Sequence, residues 1–336
     1  MTAPETIPLL YLSAAEVRAA MPPVAERLGL AVRTMTALVR DADLPPKIGV
    51  HPRPEGSFAH AMPAYLRGVD PGGASDLLGI KWIAGFPANR LRDQPVIHGL
   101  VLLSDPETGV PTTILDAAPI TAERTAAISG VAIARFAPEV VGRPIRVGLL
   151  GAGVQGTSHL AILGHVLPGL DLMVFDRHLD RATALAAAAE RTPGVRAARA
   201  AETAREATRA ADVVVTAASF APASESQVLT GDWLAEDALV VAVDYATYVA
   251  ASVARDANLF LVDQREQFLA NRDAGNFDGY PDPGATLGEA ILDGIGRDSR
   301  GHVVVSHLGV GLADLVFGHA IAERARALGL GTLLPS

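Results

Sequence analysis

The feature that most restricts this 336-residue chain is a glycine-rich turn, Gly151-Ala-Gly-Val-Gln-Gly156, set between an apolar strand and a helical stretch. The strand reads Ile145-Arg-Val-Gly-Leu-Leu150, and the helix is expected to run to about Leu167. A lone Gly-x-Gly-x-x-Gly is short and common. Here the next apolar run, Asp171-Leu-Met-Val-Phe-Asp176, closes on an acid at the spacing of a ribose-binding carboxylate. Each glycine has a physical task. Gly151 permits the tight turn, Gly153 lets backbone amides approach a pyrophosphate, and Gly156 lets helix and strand pack closely. The phosphates then meet the positive end of the helix dipole. The candidate cofactor-binding residues are Gly151, Gly153, Val154, Gln155 and Gly156 of the turn, with Asp176, Arg177 and Thr216. Asp176 can accept hydrogen bonds from both ribose hydroxyls and repels a 2′-phosphate, which favours NAD. Arg177 and Arg181 beside it keep NADP open.

The rhythm of strand, turn and helix continues beyond the turn. Asp212-Val-Val-Val-Thr216, Ala238-Leu-Val-Val-Ala-Val243, Asn258-Leu-Phe-Leu-Val262 and His302-Val-Val-Val-Ser306 are near-continuous apolar runs. Such strands are buried on both faces, as in a parallel sheet covered by helices. Residues 44–122 differ: eight prolines from Pro45 to Pro95 punctuate short β-like runs, which predicts an antiparallel or mixed sheet. Ser13 and Glu16 have the spacing of a capping box at a helix start. Helices are predicted over 121–139, 180–190 and from Asp314 to Leu328.

Composition excludes several classes. Hydrophobic residues make up 49% and charged residues 19%, enough apolar surface for a packed core. A net charge of −9 argues against a nucleic-acid partner. With no Cys, thiolate chemistry, disulfides and Cys-ligated zinc are excluded. Mean hydropathy is high, at +0.27, yet no run of 18 apolar residues occurs, so no membrane partner is expected. Glu5, Glu16 and Glu26 break any leader-like pattern, and a cytoplasmic location is expected.

Five blocks carry a resemblance. They are Met62-Pro-Ala-Tyr-Leu66, Gly79-Ile-Lys-Trp82 with Gly85-Phe-Pro-Ala-Asn89, Asp105-Pro-Glu-Thr-Gly-Val-Pro111, Thr121-Ala-Glu-Arg-Thr-Ala-Ala127 and Gly151-Ala-Gly-Val-Gln155. In that order the chain resembles the ornithine cyclodeaminase/mu-crystallin family from about Tyr11 to Asp314. The resemblance implies an α/β fold: a Rossmann doubly wound parallel sheet (126–306) plus an N-terminal α+β substrate and dimerisation domain (1–125), completed by the C-terminal helix within 307–336. It implies a homodimer and hydride chemistry at the α-carbon of a small amino acid or its imine. Lys81 matches the lysine that contacts the substrate carboxylate and reacting centre, and Arg124 the arginine that pairs with the carboxylate. Lys47 falls where many members carry a carboxylate-holding arginine. Asp244 falls where ornithine cyclodeaminases carry the acid that handles the substrate amine. Two departures follow. Asp244-Tyr-Ala-Thr-Tyr-Val249 replaces their acid and Cys-Pro-Gly-Lys-Thr-Glu, and Ala313-Asp314 stands for a C-terminal Glu-Asp pair. Both point away from ornithine and cyclisation, while imine chemistry is retained.

The residues support that chemistry without the family. Arg124 offers a planar fork for a carboxylate, and Lys81 amid β-like residues is a poor surface position. Asp244, at a strand's carboxyl end, can stabilise an iminium or hold a proton. The bland alternatives are an ion pair of Arg124 with Glu123 or Glu139, and a turn or cap acid for Asp244. Lys81 and Arg124 together need an anion, so water or another anion is expected between them. His51, His60 and His98 match no metal-ligand set, so no metal is expected. Ser129-Gly130 and Ser306-His307 lack the Gly-x-Ser-x-Gly frame of a nucleophile elbow. The 276–283 segment reads as a specificity loop or a plain surface loop. Three functions stay open: an NAD(P)-dependent imine reductase or amino-acid dehydrogenase, a cyclodeaminase-type lyase with tightly bound NAD, and a mu-crystallin-like binding protein.

Overall fold

The computed structural model describes residues 8–68, 75–219, 226–297 and 300–335. It divides into two compact units, one taking the chain up to Arg124 and again from Val310, the other Thr125–Gly309. In the first, β1 (Leu9–Leu12) leads to α1 (Ala14–Ala19). Ser13 caps α1 in a capping box, its amide donating to Glu16 Oε2 at 2.9 Å. Next come α2 (Val24–Arg40), β2 (Ala42–Asp43), β3 (Ile48–Val50), β4 (Phe58–Leu66), β5 (Leu77–Gly85), β6 (Ile97–Ser104) and β7 (Pro111–Asp116). Then α3 runs Ala117–Phe136 rather than 121–139. It starts earlier because Asp116 Oδ1 accepts the Ala118 amide at 2.9 Å. It stops short of Pro138, whose ring disfavours helix in the residue before it.

The second unit follows the strand–helix alternation: β8 (Arg146–Leu150), α4 (Val154–Val166), β9 (Leu170–Phe175), α5 (Leu179–Ala189), β10 (Val195–Ala200), α6 (Ala204–Thr208) and β11 (Val213–Thr216). It goes on through β12 (Leu239–Ala242), α7 (Ala251–Arg255), β13 (Leu259–Val262), α8 (Arg265–Asp273), β14 (Ala285–Thr286), α9 (Leu287–Leu292) and β15 (Val303–Ser306). The strand order is β10-β9-β8-β11-β12-β15-β13-β14, every pair parallel. The chain winds outward from β8 to β10, then returns beside β8 with β11 and winds the other way. This doubly wound sheet has its switch point between β8 and β11, where ligands of such folds bind. β11, β12 and β15 are buried along their whole length, which is why they read as unbroken apolar runs. β10 carries outward Arg196 and Arg199 at the sheet edge, so no such run announces it.

The chain then re-enters the first unit with α10 (Gly311–Leu328) and β16 (Thr332–Leu334), which pairs antiparallel with β1. The mixed sheet has the order β16-β1-β7-β6-β5-β4-β2, with β3 on β4. A row of paired residues, Leu12, Leu115, Val101, Lys81 and Met62, crosses five strands and is buried. α10 packs on that face. Gly311 shows how closely, since a Cβ there would lie 2.6 Å from the Met62 carbonyl oxygen. The adjacent row turns the other way and leaves Trp82 and Leu100 exposed. No helix among the described residues is long and apolar enough to cross a membrane.

Candidate active site

Three elements of the first unit converge on one buried charge cluster. β5 supplies Lys81, α3 supplies Thr121 and Arg124, and α10 supplies Asp314. Lys81 is 1% exposed, Arg124 5% and Asp314 0%. Lys81 Nζ lies 2.6 Å from Asp314 Oδ2, and Arg124 Nε lies 3.3 Å from Oδ1. Thr121 Oγ1 accepts from Lys81 at 3.5 Å and donates to Asp314 Oδ1 at 3.4 Å. The anion expected between the two cations is therefore supplied by the protein's own carboxylate. Two buried like charges repel and lose hydration; a shared carboxylate offsets both penalties. Glu123, the alternative partner for Arg124, pairs instead with Arg27 of α2.

The cluster shifts its members' protonation. Burial pulls Lys81 down to about 7, with Arg124 and Lys47 adding to the push and Asp314 opposing it. Burial alone would raise Asp314, but Arg124 and Lys81 hold it below its ordinary value. Lys47, at the entry to β3, is half-buried. His60 on β4 stacks on Phe58 with ring centroids 4.7 Å apart. Burial, and then the charges of Lys47, His51 and Lys81, lower it to about 4. This sheet face is built to receive negative charge.

In the second unit the glycine turn has the geometry its spacing predicts. Gly151 has φ +111°, and a Cβ there would sit 2.5 Å from the Ala217 oxygen. A Cβ on Gly156 would meet the Gly151 oxygen at 2.0 Å. Gly153 has open space on its Cβ side, and the start of α4 carries no side-chain cap, so its amides remain available to a ligand. Val154 is exposed and Gln155 Oε1 is buried without a hydrogen-bond partner. Asp176 accepts the amides of Ala152 at 2.9 Å and His178 at 3.0 Å, leaving acceptor capacity for ribose hydroxyls. Arg177 beside it is exposed. This donor and acceptor set fits a dinucleotide.

Thr216, expected at the cofactor, donates its hydroxyl to Asp244 Oδ1 at 2.9 Å. Asp244 follows β12, is 3% exposed, and is raised to about 6 by burial against the opposing pull of Thr216 and of backbone amides, Ala218's among them. Its carboxylate caps no helix; the Thr247 amide and hydroxyl use its backbone carbonyl, at 3.1 and 2.6 Å. The next two residues, Tyr245 and Ala246, have φ +53° and +60°. A left-handed pair without glycine is strained, and such strain concentrates where a side chain must be aimed.

Other candidates resolve into structure. Phe277 and Tyr280 of the 276–283 segment are buried, and the Tyr280 hydroxyl donates to the Val249 carbonyl at 2.6 Å. Ser129 Oγ does meet two histidines, His159 Nε2 at 2.8 Å and His307 Nε2 at 2.9 Å. Both Ser129 and His159 have zero exposure, so no substrate reaches that hydroxyl as a nucleophile. The residue missed by sequence reasoning is Asp314. Its one signal in the sequence is its place as the second residue of the acidic-pair position, where Ala313 replaces the first.

Comparisons with known proteins give the family and the fold. A family model described as "Ornithine cyclodeaminase/mu-crystallin family" matches residues 15–328. The chain belongs to this family. It is 32% identical over 334 residues to the nodulation efficiency protein NfeD of Rhizobium meliloti, covering 97% of this chain and 98% of the relative. It is 26% identical over 303 residues to an alanine dehydrogenase of Archaeoglobus fulgidus, covering 87% of each chain. Among solved structures, the Delta(1)-pyrroline-2-carboxylate reductase of Thermococcus litoralis, in complex with NADH and L-proline, superposes with a TM-score of 0.83. The identity is 24%, over 97% of this chain and 100% of the other.

Proposed function

We propose that this chain is an NAD(P)-dependent oxidoreductase, NAD being preferred, that transfers hydride at the α-carbon of a small 2-amino acid or its imine. The observation that carries the reading is the buried Lys81–Asp314–Arg124 cluster. Two cations share one internal carboxylate, so one positive charge is left for a substrate carboxylate. Arg124 meets Asp314 through Nε, and its two Nη groups form a fork for that carboxylate. Lys81 serves the carboxylate and the reacting centre, and Lys47 adds charge at the rim. Asp244, held by Thr216, is the acid this reading assigns to stabilising the developing cation on the imine nitrogen and to supplying a proton. Gly151, Gly153, Val154, Gln155, Gly156, Asp176 and Arg177 would hold the dinucleotide, which when bound would supply or take the hydride. In reduction, imine, NADH and a proton give amine and NAD. The alanine dehydrogenase and pyrroline-2-carboxylate reductase relatives act on this class of compound, which supports the reading.

On this reading the first unit is the substrate and dimerisation domain and residues 126–306 the dinucleotide domain. A homodimer forms through the sheet face opposite α10. That face presents Trp82 and Leu100 in register, with half-buried Ile80, Leu102 and Ile114 in the row beyond them. An exposed apolar area of this kind marks a protein interface. The test is an absorbance assay with pyruvate, glyoxylate or oxaloacetate plus ammonia or an amine. Net NADH consumption is the expected result. Ammonia release from an amino acid without net NADH change assigns a lyase instead, and tight cofactor binding with neither assigns a binding protein.

A further inference from the structure

The chain contains 26 arginines and only two lysines, Lys47 and Lys81. Arginine serves nearly everywhere a cation is wanted, in ion pairs with Glu123, Asp212, Asp171 and Asp232 among others. Lys81 is thus an exception at one of the most buried positions in the molecule. The chemical difference is specific. A guanidinium stays charged wherever it is placed, whereas an ammonium loses its proton readily when buried. A carboxylate clamp alone would be served by a second arginine. Lysine in that place signals a group whose charge is meant to be adjustable.

The surroundings of Lys81 decide that charge. Arg124 from α3 and Lys47 beside β3 oppose it, and His60 on β4 brings no negative charge. Among the described residues, Asp314 from α10 is the carboxylate acting on it, at 2.6 Å and with zero exposure. We propose that Asp314 is a positioning residue for the reaction, which keeps the buried Lys81 ammonium charged and aligned and limits the clamp to the single positive charge that one carboxylate matches. The inference rests on the reading above only in giving Lys81 a part in turnover. The Asp314–Lys81 coupling itself belongs to the resting protein. Without Asp314 the ammonium would be buried between an arginine and a second lysine, and would give up its proton at a lower pH than it does beside the carboxylate.

Two lysines make the experiment direct. With lysine labelled at the ε-carbon with ¹³C, the protein shows two side-chain signals, and Lys47→Arg identifies the one from Lys81. The wild-type Lys81 signal is expected to titrate near 7. In the isosteric Asp314→Asn it moves down by a unit or more, because the contribution that holds the proton on has gone. The alkaline limb of kcat/KM, where charged Lys81 is lost, moves down with it, so kcat/KM at pH 8 relative to its plateau falls about tenfold or more. In Lys81→Arg that limb disappears whatever the remaining rate, since arginine does not titrate there. An unchanged Lys81 titration in folded Asp314→Asn overturns the proposal. Should that variant not fold, Asp314→Glu, which keeps the carboxylate but displaces it from its 2.6 Å contact, is read instead, and an unchanged Lys81 titration and alkaline limb in it overturn the proposal. Absence of turnover on every amino and imino acid would count against the proposed function alone, since the titration is read without substrate.

Discussion

Replacing Arg124 by alanine separates the substrate clamp from the structural cluster. Asp314 keeps Lys81 at 2.6 Å in the variant, so no carboxylate is left buried and unpaired, and the chain should fold. The substrate loses the two Nη donors, each a charge-assisted hydrogen bond in a site where Arg124 is only 5% exposed. Water partly replaces them, so the loss is about 2–4 kcal/mol, or about 30- to 1,000-fold in kcat/KM. Arg124 also pushes Lys81 down, so its removal should shift the alkaline limb of the pH profile upward. The assay is steady-state NADH oxidation over a panel of oxo acids with ammonia, from pH 6 to pH 9, with NADH affinity measured separately by fluorescence. NADH affinity should stay near wild type, because Arg124 belongs to the clamp and not to the glycine turn. Near-normal kcat/KM on every acid tested would remove the carboxylate role, and the amino-acid reading with it.

Three further outcomes are expected. Asp176 should make NADH bind more tightly than NADPH by direct titration, and the reverse order would mean that exposed Arg177 governs the ribose site. Asp244 is raised from 3.8 to about 6, so its contribution to stability is present below 3.8 and is lost as pH rises through about 6. Asp244→Asn should therefore raise Tm at pH 7 while lowering kcat, and a lower Tm with unchanged kcat would refute both assignments. Light scattering at micromolar concentration should give a dimer, and Trp82→Asp on the exposed sheet face should give a folded monomer; a wild-type monomer would end the homodimer reading.

What was legible in the sequence follows from where the physics is local. The glycine turn could be read because its demands are largely local: Gly151 takes a positive φ, and Gly156 packs against the Gly151 carbonyl oxygen. The strands of the second unit could be read because burial on both faces leaves no polar residue to break the run. Lys81 stood out because a lysine within an apolar β-run has nowhere solvated to go. Asp314 was not legible. It meets Arg124 across a sequence separation of 190, and its function depends on α10 returning over β5, which no local pattern encodes. Thr216 fared similarly. Its place at a strand end was readable, but its hydroxyl is given to Asp244, 28 residues on. The edge strand β10 and the closing β16 escaped because their pairing partners, rather than their own apolar character, make them strands.

The central claim is hydride transfer at the α-carbon of an amino or imino acid. Its most direct test uses NADH carrying deuterium at the transferred position of C4, a turned-over oxo acid with ammonia, and mass spectrometry of the product. One deuterium bonded to the α-carbon of the resulting amino acid is the result this account predicts. Product with hydrogen only at that carbon, or no amino acid formed while the deuterated cofactor stays bound and unchanged, would contradict it.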